Sequence, residues 1–226
     1  MIVAIMQPTY LPWIGYFNLI KNSEYFIFLN DVQFDKRSWQ QRNKIIINSN
    51  EKYLTVPVHT KNKHLQKLCD VKIDNSKKWK QDHLNSLKFN YGNHKYFKEV
   101  FSFLERIYNQ ENEHLVNLNI DLIIEITKYL GFDFNYEFSS NFKSERKKGE
   151  RIFELLKKIK ADKYISPIGS KEYLDKTKQS RQDKVKVEYI NYKCKCYSQK
   201  KQSKFFNNLS IIDLIFNHGK QSIKFI

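Results

Sequence analysis

The chain has 226 residues and 27.3 kDa, with 41% hydrophobic and 15% aromatic residues, enough to bury a substantial core. Charged residues break every apolar run well short of the ~20 residues that a membrane-spanning helix requires, so no span is expected. The formal net charge of +16 is uneven: residues 143–204 hold 20 Lys+Arg against 8 Asp+Glu, a net of +12, whereas residues 61–142 hold 12 against 11.

The chain opens on MIVAIM, which lacks a basic leader and a small-residue cleavage site and reads as a buried first strand rather than a signal peptide. A cytoplasmic protein is expected. Cys69, Cys194 and Cys196 form no disulfide framework, which agrees with a reducing compartment. Cys194 and Cys196 fall in an alternating segment that predicts one strand face, but no second pair or nearby His completes a tetrahedral metal set.

IVAIM (2–6) and YFIFLNDV (25–32) predict strands, with a short helix over WIGYFNLIKNS between them. Strand, loop, helix and strand within about thirty residues describe a parallel βαβ unit. The loop QPTYLP then falls at the carboxyl edge of the sheet, where open α/β sheets bind ligands. RNKIIINSNEKYLTVPV predicts a hairpin turning at NSNE, and CDVKIDN a further short strand. The polar stretch HTKNKHLQK between them predicts a mobile loop. From Ser76 to about Leu130 the apolar spacing becomes helical, with stop signals at Gly or Asn. ERIFELLKKIK predicts another helix, YIS a strand, SPIGS a Gly-containing turn, VKVEYINYKCKCY a strand and LSIIDLIFNHG a helix ending at Gly219. The fold class expected is α/β: a single domain over 1–226 with a parallel-rich sheet opened by a βαβ unit and a helical middle region at about 76–131.

Two stretches concentrate groups able to do chemistry. After the first strand, Gln7 offers an uncharged amide, and Tyr10, Trp13 and Tyr16 offer rings for a flat or sugar-like ligand. Packing of a tight crossover accounts for the same residues. After the second strand, Asp31 supplies a carboxylate, Gln33 and Asn43 amides, Trp39 a ring, and Arg37 and Arg42 planar forks suited to phosphate or carboxylate. A polar surface loop is the plain alternative. Ser166 and Gly169, in the turn after YIS, form a third candidate. No metal site is expected. His59, His64, His83 and His94 lack zinc-site spacing, and the chain has no glycine-rich phosphate loop, G-x-S-x-G or dinucleotide fingerprint.

QPTYLPWIGYF, NDVQFDKRSWQQRNKI, YLTVPV and LSIIDLIFNHG, in this order and spacing, resemble the WbqC-like protein family over nearly the whole chain. In YISPIGSKEYLD the chain departs from the family's usual form, since Pro167 and Ile168 stand before the glycine. The resemblance implies a place in bacterial O-antigen and surface-polysaccharide biosynthesis, as a transferase that N-acylates or N-aminoacylates a nucleotide-linked amino-dideoxy sugar. Joined to the residues, it makes Asp31 and Gln7 the expected catalytic residues. Tyr10, Trp13, Tyr16, Gln33, Arg37, Trp39, Arg42, Asn43, Ser166 and Gly169 become the expected substrate-binding set. No tightly bound cofactor is expected; the acyl donor would be a coenzyme A thioester or an aminoacyl-tRNA, with tRNA as a candidate partner of the basic segment 143–204. Nucleotidyl transfer to a sugar phosphate is a rival enzyme class, although the H-x-G-H signature of one such superfamily is absent. An RNA-binding or scaffold protein is the non-enzymatic rival.

Overall fold

A computed structural model describes the chain except for residues 62, 64, 178–184 and 201. Among the described residues the elements run β1 (Ile2–Met6), α1 (Ile14–Lys21), β2 (Tyr25–Phe28), β3 (Arg42–Ile47), β4 (Asn50–Thr55), α2 (Trp79–Tyr91), α3 (Phe97–Asn109) and α4 (Leu115–Leu130). They continue with β5 (Asn135–Phe138), α5 (Lys148–Lys158), β6 (Lys163–Pro167), α6 (Lys171–Asp175), β7 (Lys186–Ile190) and α7 (Ile211–His218). The chain divides into two compact units.

The first unit comprises Met1–Gln7, Gly15–Asp31 and Phe134–Lys193. Its sheet has the order β5-β2-β1-β6-β7 with every neighbouring pair parallel. Parallel strands covered on both faces read as continuous apolar runs rather than alternating ones. The central strand IVAIM does so, with Val3, Ala4 and Ile5 all buried. One cluster joins Val3, Ile5 and Ile27 to Ile152, Phe153, Leu155 and Leu156 of the amphipathic α5. An aromatic cluster joins Tyr16, Phe26 and Phe28 to Phe134, Tyr136 and Phe138. Counted along the unit, the strand order is third, second, first, fourth, fifth, that of a doubly wound sheet, whose topological switch point falls between the carboxyl ends of β1 and β6.

The second unit comprises Pro8–Ile14, Val32–Asp133 and Cys194–Ile226. The β3–β4 hairpin turns at Asn48 and Ser49, whose φ values of 49° and 58° are those a two-residue hairpin turn demands. Helices α2, α3 and α4 form the expected helical region, and α4 ends on Gly131 at φ 85°, whose N–H closes on Lys128 and Thr127. The Ser210 hydroxyl accepts from Ile212 N–H at the start of α7, and Gly219 ends it.

Several boundaries differ from the expectations. β2 stops at Phe28, so Asn30 and Asp31 stand beyond the ladder. Residues 68–75 form a 3-10 turn and isolated bridges rather than a strand, because their pairing ends after single contacts to Val58 and His114. β7 stops at Ile190, so Cys194 and Cys196 occupy irregular chain and share no strand face. All three cysteines are free thiols. β5 was not expected; half-exposed and at the sheet edge, it carries too many polar residues to read as a buried strand. Of the polar stretch 59–67, residues 62 and 64 lie outside the described residues.

Candidate functional site

The site begins with the ladder itself. Leu29 N–H donates to the Met6 carbonyl at 2.8 Å, so β1 and β2 stay paired to their carboxyl ends and Gln7 leaves the sheet beside the start of Asn30-Asp31. Asn30 then knits β2 to the end of β5. Its N–H meets Ser139 Oγ at 3.2 Å, its Nδ2 donates to Ser140 Oγ at 3.0 Å, and its Oδ1 accepts Ser140 N–H at 3.1 Å. That lock aims Asp31. Oδ1 accepts the Ser139 hydroxyl at 2.5 Å, and Oδ2 meets Arg151 Nη2 of α5 at 2.5 Å. Both charged side chains are 12% exposed, and Nη2 also bonds the Ser139 carbonyl. Arg151 Nε is buried without a partner. Two neighbouring side chains of opposite charge thus meet at the carboxyl edge of a parallel sheet. A close approach keeps α5 in place: a Cβ on Gly149 would stand 2.0 Å from Thr177 Oγ1.

Across the switch point, β6 carries Ser166. Its hydroxyl is buried, bonding Tyr164 at 3.1 Å and Ser170 at 2.6 Å. Gly169 lies exposed in the following 3-10 turn with open space where a side chain would project. Tyr16 is buried in the aromatic cluster with an unpartnered hydroxyl, so its ring packs rather than faces outward.

In the second unit the loop 8–14 is a pinned corner. Asn43 Nδ2 donates to the Leu11 carbonyl at 2.7 Å and lies 3.4 Å from that of Tyr10, while Asn119 Nδ2 holds the Pro8 and Gln40 carbonyls. Leu11 adopts a φ of 42°, which these bonds sustain. Tyr10 is fully buried; its hydroxyl bonds His83 Nδ1 at 2.9 Å and the Tyr108 hydroxyl. Burial pushes His83 down to about 4. Trp13, half-buried, bridges to Ser210. The hairpin offers the exposed surface: the rings of Trp39 and Tyr53 lie 6.1 Å apart, with the Arg42 guanidinium 4.2 Å from the Tyr53 centroid. Gln33 and Arg37 are exposed, and Arg37 N–H donates to Gln41 Oε1 at 2.9 Å.

The family model of the WbqC-like protein family matches residues 7–225. The chain belongs to the WbqC-like protein family. A curated relative, "Uncharacterized protein Rv1507c" of Mycobacterium tuberculosis (strain ATCC 25618 / H37Rv), is 33% identical over 223 residues, covering 97% of this chain and 95% of the relative. No solved structure matches the chain.

In this WbqC-like protein the expected residues separate into groups. Gln7, Asp31, Ser166 and Gly169 gather at the ends of β1, β2 and β6, and Trp39 and Arg42 gather on the hairpin around Tyr53. Tyr10 and Asn43 bond each other inside the second unit. Sequence reasoning missed Arg151 and Ser139, which stand over a hundred positions from Asp31 and reach it only through the order of the strands. The basic segment divides between the units at Lys193, and residues 178–184 and 201 within it lie outside the described residues. Part of its charge is already paired, as in Lys158–Glu154, Lys163–Glu188 and Lys176–Glu172. Among the described residues no group of three His, Cys, Asp or Glu could hold a metal ion, and no helix is long and apolar enough to cross a membrane.

Proposed function

We propose that this WbqC-like protein transfers an acyl group to the amine of a nucleotide-linked amino-dideoxy sugar at the carboxyl edge of its parallel sheet, in surface-polysaccharide biosynthesis. The observation that carries the reading is the Asp31–Arg151 pair at the end of β2 beside Gln7. Open α/β sheets take phosphorylated ligands in this crevice. An amine attacks only when neutral, and Asp31 is the acceptor for its proton. A carboxylate offers about four acceptor positions, and the Ser139 and Arg151 bonds leave room on Asp31 for a sugar ammonium. The amine nitrogen then bonds the acyl carbon while the thioester C–S bond, or the ester C–O bond of an aminoacyl-tRNA, breaks. One of the two protons the ammonium loses ends on the leaving thiolate or ribose alkoxide, and Asp31 releases the other to solvent. In this reading Gln7 orients the sugar, and Arg151 keeps the carboxylate fixed. Either donor is rich in phosphate, which suits the net +12 of residues 143–204.

The experiment is incubation of the purified protein with dTDP-linked amino sugars and acyl donors, read by mass spectrometry for the acylated sugar. Filter binding to tRNA at rising salt separates the donors: no binding at low salt removes aminoacyl-tRNA. The strand order equally favours a second reading, nucleotidyl transfer to a sugar phosphate. Release of pyrophosphate from a nucleoside triphosphate and a sugar phosphate would select it.

A further inference from the structure

At the β3–β4 hairpin of the second unit, Trp39 and Tyr53 leave 49% and 43% of their surfaces in water. Neither exposure comes from a loose chain. The Trp39 carbonyl accepts Tyr10 N–H at 2.9 Å, and the next two residues are tied inward: Gln40 Oε1 accepts Asp35 N–H at 2.8 Å, and Gln41 Nε2 donates to the Val56 carbonyl at 3.2 Å. Both glutamines are buried. Tyr53 stands opposite Lys44 in the ladder, next to the buried Leu54. Two large rings are thus presented to solvent from fixed backbone, so little ordering is left for a ligand to impose.

The Arg42 guanidinium lies 4.2 Å from the Tyr53 ring centroid. Its side chain makes no ion pair or hydrogen bond among the described residues, which leaves its fork of N–H donors open to an anion. Lys44, 5.8 Å from the same ring, is already paired with Glu51 at 2.8 Å. Residues 36–55 hold 5 Lys+Arg against 1 Asp+Glu. The ligand that such a face favours carries anionic groups and flat rings together. Small-molecule sites ordinarily bury roughly 70–90% of their ligand, which rings this exposed do not do; a polymer gathers such contacts along its length instead. The two ring planes meet at 46° with centroids 6.1 Å apart, too open to sandwich one base, so each ring takes its own. A duplex keeps its bases stacked on one another and offers these rings only its backbone.

We propose that this hairpin face binds single-stranded nucleic acid, two successive bases stacking on Trp39 and Tyr53 and a backbone phosphate meeting the Arg42 guanidinium. The proposal goes beyond acyl transfer at the sheet edge and depends neither on it nor on the basic segment 143–204.

Titration of the full chain with oligouridylate and oligothymidylate of about ten nucleotides, read by tryptophan fluorescence, tests it. Trp13 is half-buried and Trp79 buried, so the exposed indole of Trp39 is the reporter. Saturable quenching is expected with either oligonucleotide, about tenfold or more tighter than with a duplex of the same length or with polyphosphate, which carries the charge without bases. Tyr53→Ala weakens binding about fivefold or more. Arg42→Ala weakens it too and lowers the slope of log affinity against log salt by about 0.7. Melting curves confirm that the variants fold. No saturable quenching, or equal affinity for the duplex or polyphosphate, overturns the proposal. Quenching that survives in Trp39→Phe, or binding of a labelled oligonucleotide that is unchanged in both Tyr53→Ala and Arg42→Ala, puts the nucleic acid elsewhere on the chain and overturns it as well. Quenching by a neutral dextran and by neither oligonucleotide would assign the face to a glycan instead.

Discussion

Arg151, the fourth residue of α5, places Nη2 2.5 Å from Oδ2 of Asp31 beyond the end of β2. The pair ties the loop after β2 to the first turns of α5 at the sheet edge, and both side chains are largely withdrawn from water. Removing one partner of a fully buried pair strands the other, at a cost of about 3–5 kcal/mol, and somewhat less where, as here, both side chains keep some contact with water. Arg151→Met is therefore expected to destabilise the protein by about 2–3 kcal/mol in denaturant unfolding. Asp31→Asn combined with Arg151→Met should cost less than the two single changes added together. Simple additivity would show that the pair is not coupled.

His83 gives the stability a defined acid dependence. Burial depresses its folded-state pKa from 6.5 to about 4, so between those values the unfolded chain binds the extra proton. Stability from this group is present above about pH 6.5, falls as pH drops through the window, and the loss totals roughly 3 kcal/mol near pH 4. Urea unfolding of the wild type and His83→Gln across that range measures it. A slope that persists unchanged in His83→Gln assigns the effect to other groups.

Asn43 keeps the corner after β1 in shape. Its amide satisfies the Leu11 carbonyl inside the protein, and its Oδ1 receives Lys44 N–H at 2.8 Å. Asn43→Ala leaves buried backbone groups unpaired and is expected to cost about 2 kcal/mol. A loss below about 0.5 kcal/mol would mean that water replaces the amide.

Trp39 should behave in the opposite way. At 49% exposed it has little to lose on truncation, so Trp39→Ala shifts unfolding by about 0.5 kcal/mol or less. If its ring and that of Tyr53 stack on a flat ligand, the same change raises KM several-fold while kcat holds. An unchanged KM makes the hairpin surface a bystander.

How much of this was legible in the chain depends on the range of each interaction. IVAIM, YFIF, the NSNE turn and the Gly219 stop are local signals, and each appears where the sequence put it. Asp31 was visible because a carboxylate just past an apolar run is itself a local pattern. Arg151 was not, since it lay in a lysine-rich run and reached Asp31 only after β5 added to the far side of β2. Tyr10 and Asn43 looked like ligand contacts because polar side chains near a turn look alike whether they face water or bond buried carbonyls. Their partners, His83, Tyr108 and the loop's own backbone, decide the matter.

The central claim is that Asp31 receives the amine of a nucleotide-linked sugar. Equilibrium titration of the wild type and Asp31→Asn with a dTDP-amino sugar and its deaminated counterpart tests it most directly. The wild type is predicted to favour the amine by about tenfold or more, and Asp31→Asn to lose that preference while still binding the nucleotide. Equal affinity of the wild type for both sugars, or a preference that survives in Asp31→Asn, would contradict the account.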